Sequence, residues 1–263
     1  MKNKKKVFVV AGASRCGTTS FYEILRKQNC FGVHRKKEGR YFDQCVLSDK
    51  KKYLSEFLDH EEVERFVDIS PPYFHTDIYF KNGRPKHGYN NNIANRIAND
   101  PDVDKVLLIL RKPSERLISQ FRKNVVRGVI KENNINKFLA ADAGGQVPLS
   151  ISLLHRARYS VFVSEYRDLL RDRLMIMDFN VIVHSRTDVL SEVLREANPA
   201  FKSFTDEVKH MNNKSYAGVS WFGSLKDKLS TLVRVPVLEL NAQSQSILSD
   251  IDKSYPAIHF DFK

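Results

Sequence analysis

Three cysteines in 263 residues, and no CxxC pair among them, remove two common ways of holding a chain together. Cys16, Cys30 and Cys45 are odd in number and widely spaced, which argues against a disulfide framework and a cysteine zinc site and suits a reducing compartment. HxH, HExxH and carboxylate clusters at metal-ligand spacing are missing too, so the chemistry calls for no metal. No segment approaches the ~18 uninterrupted apolar residues of a membrane span. The apolar run after the basic N-terminus is only about seven residues long before Arg15 follows, so it reads as a core strand and not as a secretory signal. Internal repeats and long low-complexity stretches are absent. Acidic residues are in deficit, 31 Asp plus Glu against 43 Lys plus Arg, and the formal charge of +12 makes an anionic ligand or surface a fair expectation. Residues 2–6 and 50–52 nevertheless read as solvated lysine runs. With no RNP-type motif and no zinc knuckle, nucleic acid is not expected as a partner. The chain reads as cytoplasmic, without membrane insertion; its oligomeric state is not legible.

What is present begins at residues 7–21, VFVVAGASRCGTTSF: an apolar strand, a glycine-bracketed loop and a helix start. Backbone N–H groups of such a turn and the free amides of the first helical turn converge on one point, where the helix dipole adds positive charge. Gly12 and Gly17 have the spacing of a Walker A loop, but Thr18 stands where an NTP-hydrolysing loop has lysine. The cation sits at Arg15 instead. A phosphate gripped while something attached to it leaves is the chemistry this suggests. Gly17 admits close backbone approach, Thr18 and Thr19 offer amides and hydroxyls, and Ser20 adds a further hydroxyl. Cys16 lies within the loop and reads as a small filler, with no histidine partner in its motif.

Along the chain, a strand at residues 7–11 leads to a helix at 18–27 with Phe21, Ile24 and Leu25 on one face. A helix at 51–58, a strand at 65–69 stopped by Pro71-Pro72, an exposed loop at 81–92 and a helix at 93–99 follow. Residues 105–110, KVLLIL, form a second wholly apolar strand, as in a parallel sheet covered on both faces. Pro113 opens a helix to about residue 127, with Leu117, Phe121 and Val125 as its core stripe and Arg116, Ser119, Gln120 and Lys123 beside it. A loop at 142–148, a helix at 151–170, a strand at 174–177 and a helix at 187–196 complete the regular part; a late helix is read at 225–233. The fold class is α/β, a P-loop-type parallel sheet flanked by helices in a single domain spanning residues 1–263.

A second anion motif is written at residues 110–119, LRKPSERLIS. Arg111 closes the second strand, where open α/β sheets bind ligands, and Ser119 lies in the following helix. A guanidinium fork and a hydroxyl suit a phosphate monoester. GASRCGTTS followed by a strand ending in RKPSERLIS closely resembles the sulfotransferase family that uses 3′-phosphoadenosine 5′-phosphosulfate (PAPS). Its loop usually carries Lys at the place of Arg15, and its tyrosylprotein branch carries Arg. Residues 37–43, KEGRYFD, resemble the segment of heparan sulfate and related carbohydrate sulfotransferases whose Glu is the general base. Residues 68–74, DISPPYF, resemble their EKSPAYF segment, with Ile69 in place of Lys, and residues 159–177 are similar to the helix and strand that follow the acceptor cleft.

The resemblance covers most of residues 6–180 and implies a sulfuryl transfer from PAPS to an acceptor hydroxyl. It places the 5′-phosphosulfate at Arg15, Cys16, Gly17, Thr18, Thr19 and Ser20 and the 3′-phosphate at Arg111 and Ser119. Glu38 is then the base and Arg15 the stabiliser of charge on the leaving oxygen; His34 is the alternative base. Lys214, in residues 210–218, is placed in a late loop closing over the nucleotide, while Trp221 reads as core. The acceptor is a small molecule or glycan, and Arg35, Lys36, Lys37 and Arg40 suggest an anionic one. Two other readings stay open: a P-loop small-molecule kinase, and a non-catalytic nucleotide- or RNA-binding protein.

Overall fold

The computed structural model describes residues 5–43, 49–75, 80–81, 84–85, 92–204, 239–253 and 255. Strands β1 (Lys6–Gly12), β2 (Phe31–Val33), β3 (Arg65–Ile69), β6 (Val103–Leu110) and β7 (Leu174–Asp178) form one sheet; β4 (Phe80–Lys81) and β5 (Arg84–Pro85) make a small antiparallel ribbon. The sheet is wholly parallel, in the order β2-β3-β1-β6-β7. The chain leaves β1 toward one edge, returns through β2 and β3, then crosses to β6 and β7. The order therefore reverses between β1 and β6, the crevice where ligands of open α/β sheets bind.

The two strands flanking that crevice are apolar because both faces are covered. Val7 to Gly12 is buried along its whole length, as is Val106 to Leu110, and each large aliphatic side chain so buried contributes about 1.5–3 kcal/mol. The flanking helices are α1 (Thr18–Arg26), α2 (Lys50–Ser55), α3 (Ile93–Ala98), α4 (Pro113–Val126), α5 (Ile135–Ala143), α6 (Leu153–Ala157), α7 (Tyr159–Leu170), α8 (Phe179–Val183), α9 (Thr187–Ala197) and α10 (Ala242–Asp252). Phe21, Ile24 and Leu25 of α1 are buried as their spacing predicts. A second, smaller apolar cluster joins α4, α5, α6 and α10 through Leu117, Phe121, Phe138, Leu139, Leu153 and Leu248.

Several expectations need correction. The helix read at 151–170 is two helices, because Arg158 (φ −76°, ψ 70°) leaves helical geometry between them and lets Tyr159 turn fully inward. The loop read from residue 142 is preceded by α5, whose Asn134 caps the amides of Asn136 and Lys137. Asp142 belongs to that helix, and its carboxylate accepts the amides of Leu153 and Leu154 at the start of α6. The helix read at 51–58 stops at Ser55, and Val125 is only part-buried. The loop read at 81–92 contains the β4–β5 ribbon and otherwise falls largely outside the described residues. The helices α8 and α10 were not foreseen. The expected late helix at 225–233 lies outside the described residues.

Helix α10 returns the chain to the sheet's carboxyl edge. Its Asp252 accepts the amide of Ser114 at 2.9 Å, and Tyr255 donates to Asp178 at 2.5 Å. The N-terminus of α4 is thus capped by the chain's own carboxylate.

Gly32 of β2 lies against a neighbouring backbone: a Cβ there would stand 2.2 Å from the Leu58 carbonyl and 3.0 Å from Phe66 and Val63 side-chain atoms. Gly32→Ala is expected to destabilise the fold by about 1–3 kcal/mol, as overpacking does, and a lowered urea midpoint with unchanged slope checks it.

Candidate functional site

The loop between β1 and α1 has the geometry of an anion cradle. Arg15 (φ 71°) and Gly17 (φ 73°) are both left-handed, so the backbone doubles back before α1 begins. Gly17 also has no room for a side chain, since a Cβ would lie 2.7 Å from the Phe179 ring. Thr19 and Ser20 are exposed on the first turn of α1, whereas Thr18 and Cys16 turn inward. The Cys16 thiol sits 4.0 Å from the Tyr159 hydroxyl, and burial pushes its pKa up to about 11. Only its backbone is available to a ligand, and the thiol is a filler.

The second motif meets the first directly. Arg15 Nε donates to Ser119 Oγ at 2.9 Å, across 104 positions of sequence. Arg111, which the resemblance places with Ser119 at the 3′-phosphate, pairs through Nε with Glu115 at 2.9 Å, and its guanidinium lies 4.9 Å from the centre of the Phe179 ring. Phe179 thus touches both motifs, seated by α8, whose N-cap Asp178 accepts the Asn180 amide.

Two cations that the motifs did not single out belong here. Ser119, Lys123 and Arg127 follow one another at four-residue steps, one face of α4 and its C-terminus. Burial, then Arg127 and Arg15, lower the Lys123 pKa, with Glu38 acting the other way; burial, then Arg111 and Arg127, lower that of Arg15. Arg15, Arg111, Lys123 and Arg127 therefore share one field of a single sign, which an anion would relieve. The i+4 and i+8 spacing from Ser119 was the signal for them.

The segment at residues 37–43 is held by the segment at 68–74. Asp68 is fully buried and accepts four hydrogen bonds: from the Gly39 amide (3.1 Å), Ser70 Oγ (2.6 Å), Tyr53 OH (2.9 Å) and Tyr73 OH (2.9 Å). Ser70 Oγ also accepts the Arg40 amide at 3.1 Å, and Tyr73 OH accepts the Phe42 amide at 3.3 Å. Gly39 is needed because a Cβ would lie 2.9 Å from Asp68 Oδ2. Lys37 (φ 66°) and Arg40 (φ 55°) take the left-handed turns on either side. Between them stands Glu38, about a third exposed, its carboxylate 3.5 Å from Lys37 Nζ and 3.8 Å from Arg40 Nη1. Its ion partners are thus Lys37 and Arg40.

His34, the alternative base, is a core histidine. It is wholly buried, 3.1 Å from Glu56 and packed against Tyr53 and Phe57, and burial lowers its pKa. Of the basic residues 35–37 and 40, Lys36 is paired with Glu56 at 2.8 Å. Lys214 and its loop, and Trp221, lie outside the described residues. Among the described residues no three His, Cys, Asp or Glu gather as metal ligands, and no helix is long and apolar enough to cross a membrane.

With this geometry in hand, likeness to solved structures is informative about the fold. A sulfotransferase from Alicyclobacillus acidocaldarius superposes with a TM-score of 0.57 at 17% identity, covering 89% of this chain and 98% of that one. Mouse sulfotransferase SULT7A1, complexed with PAP, is matched over 94% of this chain and 82% of its own at 10% identity, with a TM-score of 0.49. The sequence matches no family model and no curated protein. The first likeness establishes the architecture: this is the P-loop-type parallel sheet that the sulfotransferase adopts.

Asp43, paired with Arg40, has its pKa raised to about 6, chiefly by burial. An acid whose folded pKa lies above its unfolded value holds extra protons in the fold, so its stability contribution is present below about pH 4 and lost as pH rises through about 6. The difference in urea stability between the native chain and Asp43→Asn is expected to change by about 3 kcal/mol across that window and to level off on either side; a pH-independent difference would contradict it.

Proposed function

We propose that this protein is a sulfotransferase that moves a sulfuryl group from PAPS to the hydroxyl of an anionic small molecule or glycan. The observation that carries this reading is the Arg15–Ser119 hydrogen bond, which joins the phosphate cradle at the end of β1 to the strand-end motif after β6 within a field of four cations. A bisphosphorylated nucleotide fits that demand, with one anion on the loop amides of residues 16–20 and another against Arg111. The resemblance of the two motifs to those of PAPS-using enzymes points the same way, as does the shared fold.

In this reading the bound donor supplies the sulfuryl group, whose bond to the phosphate oxygen breaks as the acceptor oxygen bonds sulfur, leaving adenosine 3′,5′-bisphosphate. The chain's own part is electrostatic and positional. Arg15 is half-buried and stays charged, since a guanidinium does not deprotonate here, so it stabilises negative charge growing on the leaving oxygen without donating its proton. Ser119 fixes the Arg15 fork. Glu38 takes the acceptor's proton, held in place by the hydrogen bonds of Gly39 and Arg40 to Asp68 and Ser70. Lys123 and Arg127, between the donor loop and Glu38 electrostatically, receive the acceptor's negative charge.

Calorimetric titration with adenosine 3′,5′-bisphosphate, run against ATP·Mg²⁺, tests the donor site. Micromolar binding of the bisphosphate is expected, weakened at least tenfold in Arg111→Ala, which corresponds to about 1.4 kcal/mol; preference for ATP·Mg²⁺ would favour a kinase. Once a turnover assay is found, Glu38→Gln is expected to lower kcat by about 10²–10⁴ while leaving bisphosphate affinity unchanged. Lys123→Ala is expected to raise KM for carboxylated or sulfated acceptors by about tenfold and for neutral ones hardly at all.

A further inference from the structure

Among the described residues, Arg116 of α4 is the largest side chain wholly withdrawn from solvent. Its Nε and Nη2 have no hydrogen-bond partner, and no carboxylate pairs with it among the described residues. What it does meet is an aromatic face: the guanidinium lies 5.7 Å from the centre of the Tyr159 ring. Cation–π contact compensates only part of the cost of taking a full charge out of water. Nor is neutralisation open to it, because a guanidinium keeps its proton in proteins. Among the described residues nothing supplies the counter-charge, and a bound anion would.

His75 stands in the same region with the same deficit. It follows the 3₁₀ turn Pro71–Phe74, is 4% exposed, and neither ring nitrogen has a partner. The two residues share one aromatic wall: Phe74 lies 5.3 Å from Tyr159 and 5.4 Å from Phe162, and His75 lies 4.9 Å from Phe162. Burial, then the positive charges of Arg156, Arg116 and His155, push the pKa of His75 well down. The ring is therefore neutral and offers one N–H donor. This is a basic interior with aromatic walls, closed to solvent at the nitrogens concerned.

We propose that Arg116 and His75 together bind a small monovalent anion such as chloride, taken up by the unpartnered Nε and Nη2 of Arg116 and an imidazole N–H beside the rings of Phe74, Tyr159 and Phe162. Arg116 and His75 are both buried, whereas Thr19 and Ser20 of the donor cradle are exposed, so the two sites are separate. Its place matters to that cradle: Arg116 sits on α4 three positions before Ser119, and its charge also acts on Cys16 of the loop. An ion there would pin α4 from within, while the outer face of the helix carries Ser119 and Lys123.

Thermal unfolding of the full chain in sodium chloride against sodium gluconate, at constant ionic strength, tests this. A saturable rise in Tm of roughly 3–5 °C by about 100 mM chloride is expected, abolished in Arg116→Met, reduced in His75→Phe and retained in Arg111→Ala. Equal Tm values of the native chain in the two salts would overturn the proposal. So would a chloride response that survives in His75→Phe and Arg116→Met, or that disappears in Arg111→Ala, which would assign it to the exposed cationic cleft. If Arg116→Met does not fold, the native response and the His75→Phe and Arg111→Ala comparisons decide alone.

Discussion

The parallel pairing of β1 with β6 is the constraint on which the rest depends. It sets Val10 beside Leu107 and Gly12 beside Leu108, so that both strands deliver their carboxyl ends to one crevice. The loop after β1 and the helix after β6 then face each other, and residues 104 positions apart close a 2.9 Å hydrogen bond. Neither motif alone is a strong anion site. A glycine-bracketed turn offers amides but one flexible cation, and an arginine at a strand end pairs readily with its own helix, as Arg111 does with Glu115. Brought together, they concentrate positive charge at a point screened from water on one side, where an anion interacts most strongly.

A second, quieter constraint operates on the acceptor side. A wholly buried carboxylate would ordinarily be a liability, yet Asp68 accepts four hydrogen bonds and so is stabilised as it stands. Its donors come from three different segments: a backbone amide beside Glu38, a tyrosine of α2, and two hydroxyls of its own segment. The carboxylate thereby orders a loop whose left-handed residues, Lys37 and Arg40, would not hold their conformation unaided. Burial here serves geometry, in that the part-exposed Glu38 is carried by a buried scaffold.

The local features of this chain were legible where a short stretch contains its own cause. Wholly apolar runs named β1 and β6; Gly17 and the residues after it named the loop and the start of α1; Pro113 named the start of α4. The same logic misled where a pattern has two solutions. A continuous helical pattern over residues 151–170 does not reveal that Arg158 breaks it, because the reason is the burial of Tyr159 against Phe74, a contact distant in sequence. His34 has the side chain of a base, but the ring is enclosed by Tyr53 and Phe57. Helix α5 is capped by Asn134, whose side chain accepts the amides of Asn136 and Lys137, and was not read from the sequence.

By itself the sequence determined the fold class, the two anion motifs and Glu38 as the candidate carboxylate, since each is a matter of residue type at fixed short spacing. Tertiary structure alone decided which groups share a site. It gave Ser119 to Arg15, left Arg111 with Glu115 and Phe179, added Lys123 and Arg127, and turned His34 into core. It also placed Arg116, one helical turn before Ser119, where solvent does not reach. Charge and hydrogen bonding act through space over a few ångströms, and the distances that matter here are set by strand order, which the chain acquires only when the sheet is assembled.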